Sequence, residues 1–209
     1  MSLSLNEMEA LSKRATRGGG YSWGLAEEAA KATRWLCAQG LDGGAVLAEL
    51  LEQGFAVSLQ DHALADPNGP WQGNAALCPL LAGVTLSDCA DRLAQGPVEM
   101  RHVAQPALIL PFAAHAARRL EQVVTVTSGD WTATTDGTAL SAPDHAPEHA
   151  ALLRVEAGGT PSTPRAHHSR ATPAPETQEV LNRFAHRIYA PATEESRLLG
   201  AGAGLSDND

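Results

Sequence analysis

Apolar residues recur every three or four positions through most of the first 53 residues, which is the spacing of one helix face. This pattern predicts three helices, over residues 5–16, 23–39 and 44–53. Ser4 followed by Glu7 matches a capping box at the first helix start, and Ser22 and Asp42 are suited to cap the next two helices. Glycines follow each helix and are expected to end it: Gly18–Gly20, Gly40 and Gly54. The first quarter of the chain is therefore predicted to be a helical unit with glycine hinges.

The pattern becomes irregular after this helical unit. Residues 55–73 contain a dense group of turn-forming residues and are predicted to be loop-like. Pro79 and Gly83 are expected to keep the next apolar stretch short, and the pair Ser87-Asp88 is expected to cap a helix that reaches about Ala94.

The chain takes on a strand-like pattern after Gly96, where β-branched residues become frequent. Strands are predicted over residues 98–105, 106–112, 123–142 (interrupted by turns) and 150–157. Gly129-Asp130 and Asp136-Gly137 are strong hairpin turn signals within the third of these stretches. A helix is predicted over residues 113–122. The strands are expected to form a mainly antiparallel sheet.

The C-terminal part of the chain begins with a segment rich in proline. Residues 158–175 contain four prolines and almost no apolar bulk, so they are predicted to form a linker or an exposed loop. An amphipathic helix should follow and end before Pro191, with Thr193 capping a short final helix before a Gly-rich tail. The apolar face of the first of these helices consists of Val180, Leu181, Phe184 and Ile188.

The fold class that these elements predict is α+β. A chain of 209 residues with 44% hydrophobic content can bury one substantial core. We expect an N-terminal helical unit, a central mainly antiparallel sheet and a C-terminal helical arm. The predicted divisions are a main domain over residues 1–157, the Pro-rich linker or loop over 158–175, and C-terminal helices with the tail over 176–209, packed on the main domain.

Charge and apolar content restrict the partners of the protein. The formal net charge of −9 repels phosphate backbones and anionic lipid surfaces, so neither nucleic acid nor a membrane is expected as a partner. The N-terminus lacks the basic start and apolar run of a signal peptide, and no stretch approaches 18 uninterrupted apolar residues.

The three cysteines, Cys37, Cys78 and Cys89, form no Cys-x-x-Cys pair, which disfavours a disulfide framework or a zinc site. A reducing cytoplasm is the expected compartment.

The three consecutive glycines at 18–20 raise the question of a phosphate-binding loop. Neither the Walker pattern nor the dinucleotide pattern fits their spacing, and both patterns need a preceding strand where a helix is predicted. The residues therefore favour a hinge between helices. The alternative is an anion site at the start of the second helix, because the exposed amides there carry partial positive charge. Its residues would be Arg17, Gly19, Gly20, Tyr21, Ser22 and Trp23.

Histidine motifs offer a weaker suggestion of chemistry. His145, Glu148 and His149 spell the inverted zinc-protease motif, which needs a helix to bring both histidines to one metal. Pro147 interrupts the motif, so a solvated loop is the favoured interpretation and no metal is expected. Asp61-His62 resembles a base with its orienting carboxylate, but the sequence has no Gly-x-Ser-x-Gly nucleophile motif to accompany it.

The four tryptophans are expected to be mostly core anchors, because the chain has only 4% aromatic residues. Trp71 is the expected exception. It lies between Pro70 and Gly73 in a predicted loop, where an indole can line a ligand pocket or a partner interface.

Two stretches resemble a bacterial family known as domain of unknown function 3726: YSWGLAEEAAKATRWL at residues 21–36 and YAPATEESRLLGAGAGLSDND at residues 189–209. The resemblance implies that both ends of the chain belong to one domain in a bacterial cytoplasmic protein. It also implies that residues 21–25 and the Gly-rich tail share one functional surface. The family brings no activity, cofactor or catalytic residue that could be transferred to this chain.

The function that the sequence favours is that of a cytoplasmic binding or accessory protein, with a homo-oligomer as one form of it. The alternative is an enzyme or sensor that binds a small anionic metabolite at the Gly18–Gly20 hinge. Neither the cofactor nor the protein partner is identified by the sequence.

Overall fold

The N-terminal helices form as their caps predict. The structure is a computed structural model that describes residues 2–189, so the helix expected after Thr193 and the Gly-rich tail lie outside the described residues. Helices α1, α2 and α3 span Leu5–Gly18, Trp23–Ala38 and Gly43–Glu52. Ser4 and Glu7 form the capping box, because the Ser4 hydroxyl accepts from the Glu7 amide and the Glu7 carboxylate accepts from the Ser4 amide. The expected caps Ser22 and Asp42 are confirmed as well.

The next segments differ from their sequence predictions. Helix α4 spans Pro79–Asp88, followed by a short 3₁₀ helix over Ala90–Ala94. The expected helix end at Ala94 is confirmed, but the expected cap is wrong: Ser87 and Asp88 end α4, and Cys89 precedes the 3₁₀ helix without a side-chain cap. Pro79 begins α4, where its missing N–H costs no intrahelical hydrogen bond. Another 3₁₀ helix covers Phe55–His62 within the predicted loop.

The strand predicted over residues 106–112 is also wrong. This stretch forms a 3₁₀ helix over Pro106–Ile109 and then the start of helix α5, Leu110–Leu120. Pro106 and Pro111 lack the N–H groups that a sheet ladder needs, whereas both are tolerated at helix starts. The stretch is buried on all sides, so its apolar run carries no period that separates a strand from a helix.

The sheet is antiparallel, as predicted, with five strands in the order β2-β6-β3-β4-β5. These strands are β2, Val98–Ala104; β3, Val124–Ser128; β4, Trp131–Thr135; β5, Leu140–Ser141; and β6, His149–Ala157. The hairpin turns at Gly129-Asp130 and Asp136-Gly137 join β3 to β4 and β4 to β5. The last long strand, β6, inserts between β2 and β3, with Met100 paired to Leu153 and Val126 paired to Val155.

One core lies between the sheet and the helices. Helix α5 packs on β3 and β4, while α1 and α2 pack on each other. The inward positions of the sheet are buried and apolar: Met100, Val126, Ala133, Leu153 and Val155. Its outer face carries exposed polar side chains such as Glu99 and Thr132. Helix α6, Pro175–Ala185, packs on α1 and α3, and is followed by a 3₁₀ turn over His186–Ile188. None of the helices in the described range 2–189 is long and apolar enough to cross a membrane.

The Pro-rich segment crosses the surface between β6 and α6 and is attached at several points. Its strand β7, Arg170–Ala171, pairs antiparallel with β1, Leu3–Ser4, close to the N-terminus. Earlier in the segment, Arg165 donates to the backbone oxygens of Gln39 at 2.9 Å, Gly40 at 3.1 Å and Ala142 at 3.1 Å. The guanidinium also pairs with Asp144 at 2.9 Å and is only 16% exposed. The division of the chain into domains stays a prediction.

We expect Arg165→Ala to lower the free energy of unfolding by about 1 to 2 kcal/mol, because several backbone acceptors lose a charged donor. The matched control is Arg170→Ala, whose exposed side chain contacts only Ser2 in the described range and should matter little. Thermal unfolding followed by circular dichroism checks this. Equal losses in the two variants would show that the Arg165 contacts add nothing to stability.

Candidate functional site

The glycine stretch is a packed hinge between α1 and α2. A Cβ atom at Gly18 would overlap the backbone carbonyl of Phe184, and one at Gly19 would lie 2.9 Å from Leu51. Gly20 has a φ of +103°, a conformation that suits glycine. The helix, hinge, helix interpretation of this stretch is therefore confirmed, and the hinge packs against α3 and α6.

The polar groups proposed for an anion at this hinge already have partners. Arg17 donates to the Tyr21 carbonyl oxygen at 2.9 Å and lies over the Trp23 ring at 5.3 Å. The Tyr21 side chain is buried, with its hydroxyl 3.9 Å from the Cys78 sulfur, and this burial raises the Tyr21 pKa. Ser22 uses its hydroxyl to accept from the Leu25 amide at 3.3 Å. An anion site at the hinge stays a prediction, and the Tyr21 hydroxyl is not at the surface to serve it.

Two tryptophans exchange the roles expected for them. Trp23, expected in the core, is 56% exposed, because it stands at the first helical position after the hinge. Trp71, expected to be accessible from its loop, is only 2% exposed. Its indole N–H donates to the Pro67 carbonyl at 3.1 Å, and its backbone pairs with Met100 beside the sheet. Trp71 is also one of the residues that line a surface cleft beside Arg92 and Arg101.

The histidine motifs are not assembled as their patterns require. Residues 142–148 form a loop and His149 begins β6, so the inverted zinc-protease motif does not lie on a helix. Within residues 2–189, no group of three His, Cys, Asp or Glu side chains is placed to hold a metal. His62 stacks on Phe55 with ring centroids 3.9 Å apart, and its Nδ1 lies 2.7 Å from the Ala76 carbonyl oxygen. Packing accounts for the position of this histidine.

The three thiols are free and differ in access to solvent. Burial raises the pKa of Cys37 to about 11 and raises the pKa of Cys78 as well, so both stay protonated at pH 8. Cys89 is partly exposed at the end of α4. We expect Ellman's reagent at pH 8 to modify Cys89 first, with the other two thiols slower by about a hundredfold, because the thiolate is the reactive form. Rapid titration of all three thiols in the native protein would contradict this expectation.

The largest described cavity is an open groove of about 840 Å³ between α2, α4 and α5. Its charged rim is largely paired internally. Lys31 pairs with Glu28 at 2.7 Å, Arg34 pairs with Glu9 at 3.2 Å, and Arg118 donates to a backbone oxygen of the β4–β5 turn. Other polar side chains of the groove, among them Ser87, Asp88, His115 and His167, have no hydrogen bond or ion pair within residues 2–189.

A smaller cleft of about 320 Å³ lies between α3, the start of α5 and the loop before β6. We name it the Gln105 cleft. Its polar lining residues are Asp42, Glu49, Gln105, Asp144, His145 and Glu148. Trp131 on β4 and several aliphatic side chains form the apolar part of its wall. The volume lies within the usual range of small-molecule sites, and the mixture of apolar wall with a few polar groups is typical of them.

Gln105 is held in an unusual conformation at this cleft. Its φ of +44° is in the left-handed region, although the residue is not glycine and precedes a proline. The backbone N–H donates to the Glu148 carbonyl at 2.7 Å, and the side-chain Nε2 donates to the Glu49 carboxylate at 2.8 Å. Only 5% of the residue is exposed. The surrounding structure thus fixes a buried amide at a cost of about 1 to 2 kcal/mol in backbone strain.

Two polar groups in the cleft wall have no protein partner. The Trp131 indole is 9% exposed, and its Nε1–H has no hydrogen-bond acceptor within residues 2–189. The Gln105 Oε1 atom accepts no hydrogen bond from the described residues. The Trp131 Nε1 atom is out of solvent contact, so this unpaired donor costs about 1 to 3 kcal/mol, whereas the Gln105 Oε1 atom is not fully buried and can accept from water or from a ligand.

The charge of the cleft is acidic. None of its lining residues is lysine or arginine. Asp144 pairs with Arg165, whereas Asp42, Glu49 and Glu148 form no ion pair with any residue of the described range. The cleft therefore carries three carboxylates that can face a ligand without an intervening cation.

Sequence patterns indicated this site only in part. They drew attention to His145 and Glu148 through their motif spacing, and both line the cleft, although for a different reason. No sequence pattern marked Glu49, Gln105 or Trp131 as parts of a site. They come from a helix, a turn and a strand far apart in the chain. A glutamine placed just before a proline was the one local signal of unusual backbone.

The comparisons with known proteins concern the N-terminal part of the chain. Residues 3–90 match a family model described as "Protein of unknown function (DUF3726)", which confirms the family resemblance of residues 21–36. The second stretch used for that resemblance, residues 189–209, lies outside the match. No curated protein and no solved structure matches the chain.

Proposed function

We propose from the geometry of the fold that this is a small-molecule binding protein; the model of the DUF3726 family, a protein of unknown function, matches residues 3–90. The proposed ligand site is the Gln105 cleft. Two of its walls come from α2 and α3, inside the family segment, and the others come from the sheet and the loop before β6. Binding would therefore depend on contacts between the family segment and the rest of the chain.

The observation that carries this proposal is the buried, strained Gln105. Left-handed conformations of ordinary residues persist only where the surrounding structure holds them, and they are frequent at ligand sites. In this strained conformation the Gln105 side-chain amide donates from Nε2 to the Glu49 carboxylate, and its Oε1 atom has no protein partner in the described range. A backbone that costs free energy and positions a polar group in a cleft is well explained by recognition of a ligand.

A binding role is supported over catalysis by the kind of groups that are fixed. The Gln105 amide and the Trp131 indole do not ionise near neutral pH, so they serve as hydrogen-bond partners and not as acids or bases. His145 is the only histidine that lines the cleft, and its side chain is exposed in a loop.

A thermal-shift screen with cationic, neutral and anionic metabolites tests this proposal, because a ligand of the folded state raises the melting temperature. Each hit is repeated on Ala146→Trp, which places a large side chain in the cleft, and on Arg17→Ala at the hinge. The proposal expects hits that Ala146→Trp abolishes and Arg17→Ala preserves. Hits with the opposite pattern would support the anion site at the hinge and would overturn the proposal.

An accessory role through a protein partner is the second candidate, and exposed Trp23 favours it. A 56% exposed tryptophan with Lys13 and Arg17 near its ring is typical of an interface anchor. If Trp23 joins two copies of this chain, Trp23→Ala should lower the molar mass that light scattering measures at high protein concentration. An unchanged monomer mass in both proteins would rule out the homo-oligomer.

The setting that we propose is a reducing bacterial cytoplasm. Support comes from the three free thiols, none of which is paired within the described residues. Fractionation of cells that express the full chain would test this location.

A further inference from the structure

We propose that the Gln105 cleft selects a small organic cation, an amine or ammonium compound with an apolar body. This inference rests on the proposed binding function and adds the chemical class of its ligand. The proposed ligand is opposite in charge to the anionic metabolite expected at the glycine hinge, because carboxylates line the cleft whereas Arg17 lies at the hinge.

Electrostatics is the first reason. Asp42, Glu49 and Glu148 line the cleft without a partner cation in the described range, and the whole chain adds a net charge of −9. Carboxylates repel an anion and attract a cation, and because these three side chains are exposed, the attraction is modest and is screened by salt. An anionic ligand would face these three charges with no lysine or arginine in the cleft lining.

Hydrogen-bonding capacity is the second reason. An ammonium group donates up to three hydrogen bonds and accepts none. The Gln105 Oε1 atom is an acceptor without a described partner, and it belongs to the same amide whose Nε2 bonds to Glu49. An ammonium at this point can donate to the Gln105 amide oxygen and to carboxylate oxygens, so the acceptors of the cleft match the donors of the ligand.

The apolar wall indicates that the cation is organic and not a metal ion. Leu36, Val46, Leu110 and Trp131 form apolar parts of the cleft wall. A bare metal ion gains nothing from such a surface, whereas an apolar body gains about 25 cal/mol for each Å² that it buries. The cleft volume of about 320 Å³ accommodates a ligand of roughly ten heavy atoms.

Trp131 supplies the aromatic part of the cleft wall, whereas its unpaired N–H is a donor that an ammonium ligand does not complete. Its indole is nine-tenths buried in the cleft wall, and its N–H has no acceptor within residues 2–189. Aromatic faces also attract cations, and tryptophan does so most strongly among the side chains. The indole N–H resonance of Trp131 is therefore a direct reporter of occupancy.

The experiment compares three probes of matched shape at pH 7.5: benzylamine, benzyl alcohol and benzoate, which are cationic, neutral and anionic. Binding is measured by isothermal titration and by the indole N–H signals of ¹⁵N-labelled protein, with Trp131 assigned through Trp131→Phe. We expect benzylamine to bind at least about tenfold more tightly than benzyl alcohol, to shift the Trp131 signal, and to weaken with added salt. Benzoate should bind most weakly.

Charge variants identify the groups responsible. Glu49→Gln keeps the shape of the side chain and should weaken benzylamine about fivefold, with little effect on benzyl alcohol. The matched control is Glu179→Gln, an exposed change of equal charge on α6 that does not line the cleft. Equal weakening by the two variants would show that only the net charge of the protein matters, and it would overturn the inference.

The remaining outcomes separate the ligand class from the proposed function. If benzyl alcohol or benzoate shifts Trp131 as strongly as benzylamine does, the cation inference is wrong while the binding site stands. If none of the three probes binds, the cation inference is wrong, and the metabolite screen decides on the function. If benzylamine binds equally well to Ala146→Trp and leaves Trp131 unchanged, its site is elsewhere, and both the inference and the assigned cleft are overturned.

Discussion

Trp71→Ala should lower the free energy of unfolding by about 3 to 5 kcal/mol, the largest loss that we expect from a single substitution in this protein. The indole is 2% exposed and its N–H donates to the Pro67 carbonyl at 3.1 Å. The Trp71 carbonyl oxygen accepts from the Arg101 amide at 2.9 Å, so the residue joins its loop to the edge strand β2. Removal of the ring would leave a cavity in the core and release the loop from that edge.

Trp23→Ala is the matched control for this change. Trp23 is 56% exposed, and its described contacts are with the cationic groups of Lys13 and Arg17. Interactions of this kind contribute about 0.5 to 1 kcal/mol at exposed sites, so the loss should be small. Urea denaturation measures the free energy of unfolding of both variants, with the same m-value (its dependence on urea concentration) used for each. Similar losses would mean that burial does not distinguish the two tryptophans.

Gly18→Ala is expected to cost about 2 to 3 kcal/mol, although alanine is the better helix former. Gly18 is the last residue of α1, and its Cα lies where α1 crosses α6. A methyl group there would overlap the backbone carbonyl of Phe184, which cannot move as a flexible side chain does. Separation of α1 from α6 is therefore the expected consequence, with a fall in melting temperature of about 5 to 10 °C.

Gly24→Ala should have the opposite effect on stability, measured by the same thermal unfolding. This glycine lies in the first turn of α2 and has no atom within 4 Å of the position that a Cβ would take. The substitution should raise the free energy of unfolding by up to about 0.5 kcal/mol, since glycine is the poorer helix former. If Gly18→Ala also stabilised the protein, the close approach of α6 to the hinge would be wrong.

Local patterns in the sequence determined where the regular elements begin and turn. Ser4, Ser22 and Asp42 each start a helix because their side chains accept from backbone amides three residues later. Gly129-Asp130 turns between two strands whose alternation was visible beforehand. These signals act within a few residues, so they do not depend on the rest of the fold. These local signals were also sufficient to predict the α+β class and a mainly antiparallel sheet.

Only the tertiary structure decided which elements surround each residue. Residues 106–112 are helical, since two prolines exclude a sheet ladder, and their fully buried apolar run has no period that could have separated a helix from a strand. Trp71 is buried and Trp23 exposed because burial depends on neighbours from distant segments. The Gln105 cleft has the same origin, since Glu49, Gln105 and Trp131 come from α3, the turn before the 3₁₀ helix Pro106–Ile109 and strand β4, which tertiary packing brings together. Sequence spacing specifies local backbone bonds, whereas long-range packing brings together the side chains that can hold a ligand.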